Sequence, residues 1–135
     1  MTQKIVKAAA RIALGSREKL EMGNIGIQRD WGWAPEYVEA MWKMLQLESP
    51  EDFVIATGKT VSLEYFVERA FQFFGLDCRN HLVVNTNLLR PTDIHVGAAD
   101  PTKAAQLLAW QPQVSVDGVI ERMCIAANDK IKEQV

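Results

Sequence analysis

Two short segments of this chain combine residue types that bind phosphate and sugar: Gln28-Arg29-Asp30-Trp31-Gly32 and Leu89-Arg90-Pro91-Thr92-Asp93. Each sets an arginine in an irregular stretch between apolar elements. A guanidinium held by packing presents a planar fork that takes two phosphate oxygens at once. A neighbouring carboxylate accepts hydrogen bonds from sugar hydroxyls, as the acidic residue of dinucleotide folds does for ribose. Pro91 fixes its own φ and so relates Arg90 to Asp93. By composition alone the same residues read equally as structural Arg–Asp pairs, which are common. A third set of cations, Lys4, Lys7 and Arg11, falls on one side of a helix by the 3.6-residue period, where a solvated basic stripe is the plainer reading.

Other chemistry is missing from the sequence. It contains neither G-x-x-x-x-G-K nor a G-x-G-x-x-G after a strand, so no phosphate-cradling fingerprint for a nucleotide cofactor exists. No nucleophile elbow occurs. Cys78 and His81 are close, but two ligands do not make a metal site and His95 has no obvious third partner, so no metal is expected. Two cysteines give no disulfide framework. Fifteen Lys and Arg against 17 Asp and Glu leave a net charge of -2, which argues against nucleic acid as a partner while leaving room for one local basic pocket. No apolar run approaches bilayer length, and the opening MTQKIVKAAARIALG lacks the apolar centre of a signal peptide. The expectation is a soluble cytoplasmic protein without a membrane partner.

The elements that must position these residues follow from periodicity. With 48% hydrophobic and 24% charged residues over 135 positions, the chain predicts one globular domain spanning residues 1–135. A helix is predicted over Lys4–Leu14, apolar at Ile5, Ala8, Ala9, Ile12 and Ala13, and closed by Gly15. Glycines 23, 26 and 32 then break the chain. Pro35 opens a second helix running to about Leu47. Glu36, Glu39, Lys43 and Gln46 form its one polar stripe, so it needs cover on two sides. Residues 53–57, a continuous apolar run, predict a strand buried on both faces. Ser62 caps a third helix bearing Leu63, Phe66, Val67, Ala70, Phe71 and Phe74, and Gly75 stops it. Short strands are predicted at 82–84 and 94–96. Asp100-Pro101 opens a fourth helix with Ala104, Leu107 and Leu108 inward, and Ser115 caps a fifth along Val116, Val119, Ile120, Met123 and Ala127. Five helices with a few short strands give the fold class α/β (mixed α+β).

Longer strings carry a resemblance. GNIGIQRDWGWAPEYVEAMWKMLQLESPEDFVIATGKTVSLEYFVERAF and LLRPTDIHVGAADPTKAAQLLAWQPQVSVDGVIERM resemble the C-terminal portion of the GDP-mannose 4,6-dehydratase family, a branch of the extended short-chain dehydrogenase/reductases. The likeness covers about residues 3 to 128. It implies a helix-rich, nucleotide-sugar-binding domain without the Rossmann domain. In the family that domain carries NADP and a Tyr-x-x-x-Lys catalytic pair, so no cofactor and no catalytic residue is expected in this chain. By position the resemblance assigns substrate binding to Lys4, Arg29, Arg90 and Asp93. Lys4 follows Gln3 where the family has Arg, and Asp93 stands in place of a Glu one methylene longer. Ala109-Trp110 replaces a customary Gly-Trp, and the loop at 76–88 is shorter than usual. The resemblance also implies that the second helix packs on the Rossmann domain and that residues 53–57 join its sheet. Without it, Tyr37, Met41, Met44 and Phe53–Ile55 would be exposed, which predicts self-association or a partner chain bringing the missing domain. The expected ligand is GDP or a GDP-sugar. The alternatives are an oligomerising module with a decayed pocket, or a fragment of an intact NADP-dependent dehydratase.

Overall fold

The computed structural model describes residues 1–89 and 92–133. Its helices are α1 (Thr2–Ala13), α2 (Ala34–Met44), α3 (Leu63–Phe73), α4 (Thr102–Leu108) and α5 (Val116–Lys132). Its strands are all short: β1 (Leu20–Met22), β2 (Gln28–Asp30), β3 (Thr60–Ser62), β4 (Leu82–Val84) and β5 (Val96–Gly97). This is a mixed α/β fold, as expected.

The helices close where local chemistry dictates. Ser62 caps α3 by accepting from the Tyr65 N–H at 3.0 Å, and Ser115 caps α5 by accepting from the Gly118 N–H at 3.2 Å. Gly15 and Gly75 end α1 and α3 with φ of +99° and +71°, where a side chain would be strained. The Asp100 carboxylate accepts from the Thr102 N–H at 2.9 Å and so opens α4.

The main core is built where α1, α3 and α5 meet. Ile5, Val6, Phe66, Val67, Phe71, Ile120 and Cys124 are buried there. Val6 and Ala10 join that face of α1, whereas Ala13 lies exposed, because the helix presents a broader stripe and its last residue clears the core. A second, smaller cluster gathers Ala40 of α2, Ala104 and Leu108 of α4, and Trp110, with Tyr37, Met44, Phe53 and Ile55 packed against it. The Trp110 indole donates to the Glu36 carbonyl at 2.9 Å, tying the end of α4 to the start of α2.

Three expectations are corrected. Residues 53–57 are not a strand: they join neither sheet, and Val54 is 52% exposed. The apolar run signals burial on both faces; Phe53 and Ile55 pack against the α2–α4 cluster and Ala56 is buried, but Val54 finds no cover among the described residues. Leu107 points outward at 54% exposure, since α4 is one short helix that turns only the Ala104–Leu108 edge to the cluster. The strand expected at 94–96 is shifted to Val96–Gly97, with Ile94 exposed.

Candidate functional site

Two chain segments run side by side through both sheets. β1 pairs in parallel with β4, Leu20 opposite Leu82, and β2 pairs in parallel with β5, Gln28 opposite Val96. β3 completes the second sheet antiparallel to β2. The connector 23–27 therefore passes beside the chain that follows β4, meeting it at Leu88. Glycine allows their close approach: a Cβ on Gly23 would stand 2.6 Å from the Leu88 carbonyl oxygen, which is backbone and cannot swing aside. The Gln28 N–H donates to the His95 carbonyl at 2.7 Å, closing the two segments at the other end.

Lys4 projects from the first turn of α1, and its Nζ donates to the Glu21 carbonyl at 2.5 Å. The Glu21 carboxylate in turn accepts from Asn85 Nδ2 at 3.2 Å, so Lys4 stands over the junction of β1 and β4. Arg29 occupies the middle of β2, opposite Val61 on one side and Gly97 on the other. Its side chain lies toward β5, where a Cβ on Gly97 would come within 3.2 Å of Arg29 Cδ. The guanidinium is half-buried and donates to the Gln28 carbonyl at 2.7 Å. Among the described residues no carboxylate pairs with it. Asp93 is half-buried and begins the segment that becomes β5, beside the strand that carries Arg29. Arg90, the fourth expected residue, lies outside the described residues, as does Pro91. The structure thus places Arg29 on a strand beside β5, Asp93 in the irregular stretch three residues before β5, and Lys4 at the end of the other sheet.

Asp30 proves structural. Its carboxylate accepts from the Thr57 and Gly58 N–H groups at 3.1 and 2.8 Å, and fixes a turn in which Gly58 has φ of +73°. Arg29 and Asp30 are therefore not a mutual ion pair, since adjacent strand residues point to opposite faces. Gly32 of the same motif makes room for an aromatic ring: a Cβ there would fall within 2.6 Å of three Tyr37 ring and hydroxyl atoms. Tyr37 packs edge-on against Trp110, with centroids 5.9 Å apart. These steric roles of Gly23, Gly32 and Gly97 escape sequence reasoning, which registers glycine as a breaker and does not reveal what stands opposite it.

Two phenols outside these segments are shifted upward by their surroundings. Burial, and then the Asp30 and Glu36 charges, push the Tyr37 phenol above its ordinary pKa. A hydrogen bond to Asp117 at 2.8 Å does the same for Tyr65. Both phenols stay protonated at neutral pH. A cavity of about 440 Å³ opens between Thr57, Lys59, Thr102, Gln106 and Gln113, and none of the four expected residues lines it. Lys59 is its one charged lining group, and Thr57, Thr102, Gln106 and Gln113 add neutral polar groups to an otherwise apolar wall. Among the described residues no three His, Cys, Asp or Glu side chains are gathered to hold a metal ion. No described helix is long and apolar enough to cross a membrane.

The fold occurs in solved nucleotide-sugar and coenzyme-linked enzymes. The Pseudomonas aeruginosa protein RMD, solved with NADPH, superposes over 96% of this chain and 42% of its own with a TM-score of 0.85 at 13% identity. The dTDP-glucose 4,6-dehydratase of Bacillus anthracis superposes with a TM-score of 0.74 at 17% identity, over 96% of this chain and 40% of its own. Those are extended short-chain dehydrogenase/reductases. Within that class, residues 1–123 match the family model for GDP-mannose 4,6 dehydratase, and the chain belongs to that family, corresponding to its C-terminal portion. The human GDP-mannose 4,6 dehydratase is 40% identical over 140 residues, covering 91% of this chain and 38% of the human protein. GDP-mannose 4,6 dehydratase 1 of Arabidopsis thaliana is 39% identical over 123 residues, covering 91% and 34%. The chain thus spans little more than a third of the length of these relatives.

Proposed function

We propose that this domain is a truncated GDP-mannose 4,6-dehydratase-like protein that keeps part of a GDP-sugar binding site and does not catalyse alone. The observation that carries the reading is the Arg29 guanidinium. It is half-buried on a strand flanked on both sides, makes room for itself over Gly97, and has no acidic partner among the described residues. A guanidinium with no counter-charge among the described residues is open to an anion. A diphosphate supplies that charge and matches the guanidinium bidentately. Arg90 is the second arm of the grip and Asp93 the acceptor for ribose hydroxyls, with Lys4 near the same ligand. Turnover would need the remainder of the family's fold, with NADP and the Tyr/Lys acid–base pair.

Titration calorimetry with GDP, GDP-mannose and NADP tests this. GDP and GDP-mannose should bind, and Arg29→Ala or Arg90→Ala should weaken binding at least tenfold, on the order of 1.5–3 kcal/mol for a hydrogen bond to a charged group. NADP should not bind the chain alone, and NADP binding would overturn the reading. A second reading, an oligomerising module with a decayed pocket, is favoured by the apolar face of α2: Val38, Met41, Trp42 and Leu45 are 62, 57, 61 and 82% exposed. In that case nucleotides leave thermal stability unchanged, whereas a retained site gains about 2.7 kcal/mol at a ligand concentration 100 times Kd.

A further inference from the structure

Arg29 stands between unequal neighbours. In the sheet order β3–β2–β5 it is paired with Val61 on one side and with Gly97 on the other. Side chains of paired residues share one face of a sheet. A β-branched side chain therefore fills the β3 side of Arg29, and the β5 side is bare. The arginine stem takes the bare side. Its Cδ and Nε lie 3.2 and 3.7 Å from the point where a Cβ on Gly97 would stand. The Gln28 carbonyl that receives the guanidinium at 2.7 Å lies 3.7 Å from the same point. Among the described residues β5 is an edge strand, so the stem leans toward the margin of the sheet and not toward its centre.

The backbone does not ask for glycine at 97. Among the described residues the positive-φ glycines are Gly15, Gly58 and Gly75, and Gly97 is not one of them. In a strand a glycine forgoes packing and loses more freedom on folding than any other residue. An alanine there would suit the backbone and meet first the stem of Arg29, then the Gln28 carbonyl at an ordinary contact distance.

We propose that Gly97 is a positioning residue for the anion grip, kept bare so that Arg29 can lie across β5, and that it favours ligand affinity over stability of the fold. This rests on the reading that Arg29 takes a phosphate, and it adds the residue that aims the arginine. A Cβ at 97 moves the stem by a few tenths of an ångström at Cδ, and the guanidinium beyond is levered further. A fork that takes two phosphate oxygens at once tolerates little misplacement. A branched side chain at 97 would close the β5 side altogether, with Val61 already holding the other.

Titration calorimetry with GDP, thermal denaturation and side-chain NMR of the chain test this. Gly97→Ala should weaken GDP binding about threefold, and Gly97→Val at least tenfold, as much as Arg29→Ala. The melting midpoint should stay level or rise in both, since each replaces a strand glycine at a compatible φ. In an Arg29→Ala background, Gly97→Ala should change affinity no further, because the stem it displaces is gone. Without ligand, Gly97→Ala should shift the Arg29 Nε–H resonance. Unchanged GDP affinity in both variants overturns the proposal. So does a loss that persists in the Arg29→Ala background or that follows a falling midpoint. If the native chain binds no GDP, the reading of the site fails; the aiming of Arg29 is then decided by the resonance, and an unmoved Nε–H overturns it.

Discussion

Single side chains here hold distant segments together as often as they offer chemistry. Glu36, in the first turn of α2, accepts through one carboxylate oxygen from the Gln113 and Val114 N–H groups at 3.0 and 3.1 Å, while its other oxygen is buried without a partner. Glu36→Ala strands two backbone donors and should lower stability by about 1–3 kcal/mol in chemical denaturation. Glu36→Gln keeps the accepting oxygen and should cost less. Sequence reasoning placed Glu36 on a polar stripe, because its partners lie more than seventy positions away. Arg29 was legible as a cation in an irregular segment, but the glycine that accommodates it, Gly97, was not. Asp30 looked like a sugar acceptor and is a turn anchor, because a carboxylate beside an arginine reads the same whether it faces a ligand or the Thr57 amide.

Among the elements, α3 was legible in full: cap, apolar period and stop glycine are all local signals. α2 was legible in its two-sided demand for cover, though it ends at Met44 where the apolar pattern runs on to Leu47. The run at 53–57 was misread because a strand is a property of two segments, and sequence shows only one. The end of α4 gives a sharper case. Ala109 has φ of +46°, the one left-handed non-glycine backbone among the described residues. The resemblance marks this as a place where glycine is customary. Alanine there costs roughly 1–2 kcal/mol of strain, partly offset by its lower freedom when unfolded. Ala109→Gly should therefore raise stability by about 0.5–1 kcal/mol, seen as a higher denaturation midpoint with an unchanged slope.

At the scale of the whole molecule, Cys124 reports on the integrity of the core. It is buried where α5 meets α3, its Sγ 3.9 Å from the Ala70 carbonyl, and burial pushes its thiol from 9.0 up to about 12. The raised value sets the sign. The contribution is complete below the unfolded pKa and fades as pH rises from about 9 toward about 12. Denaturation midpoints should fall across that window, and Cys124→Ala should flatten the fall while lowering stability at neutral pH. The parallel strand pairs have a further consequence, for how the chain comes to be folded. Leu20 meets Leu82 and Gln28 meets Val96, each more than sixty positions on. Closing such long loops precedes any reward from the contacts they make, which slows folding. On the ribosome, Lys4 and Arg29 emerge early but wait for residue 96 before β2 gains its parallel neighbour. The sheet that carries Arg29 thus closes only after residue 97 has been made, and the main core only once α5 has followed.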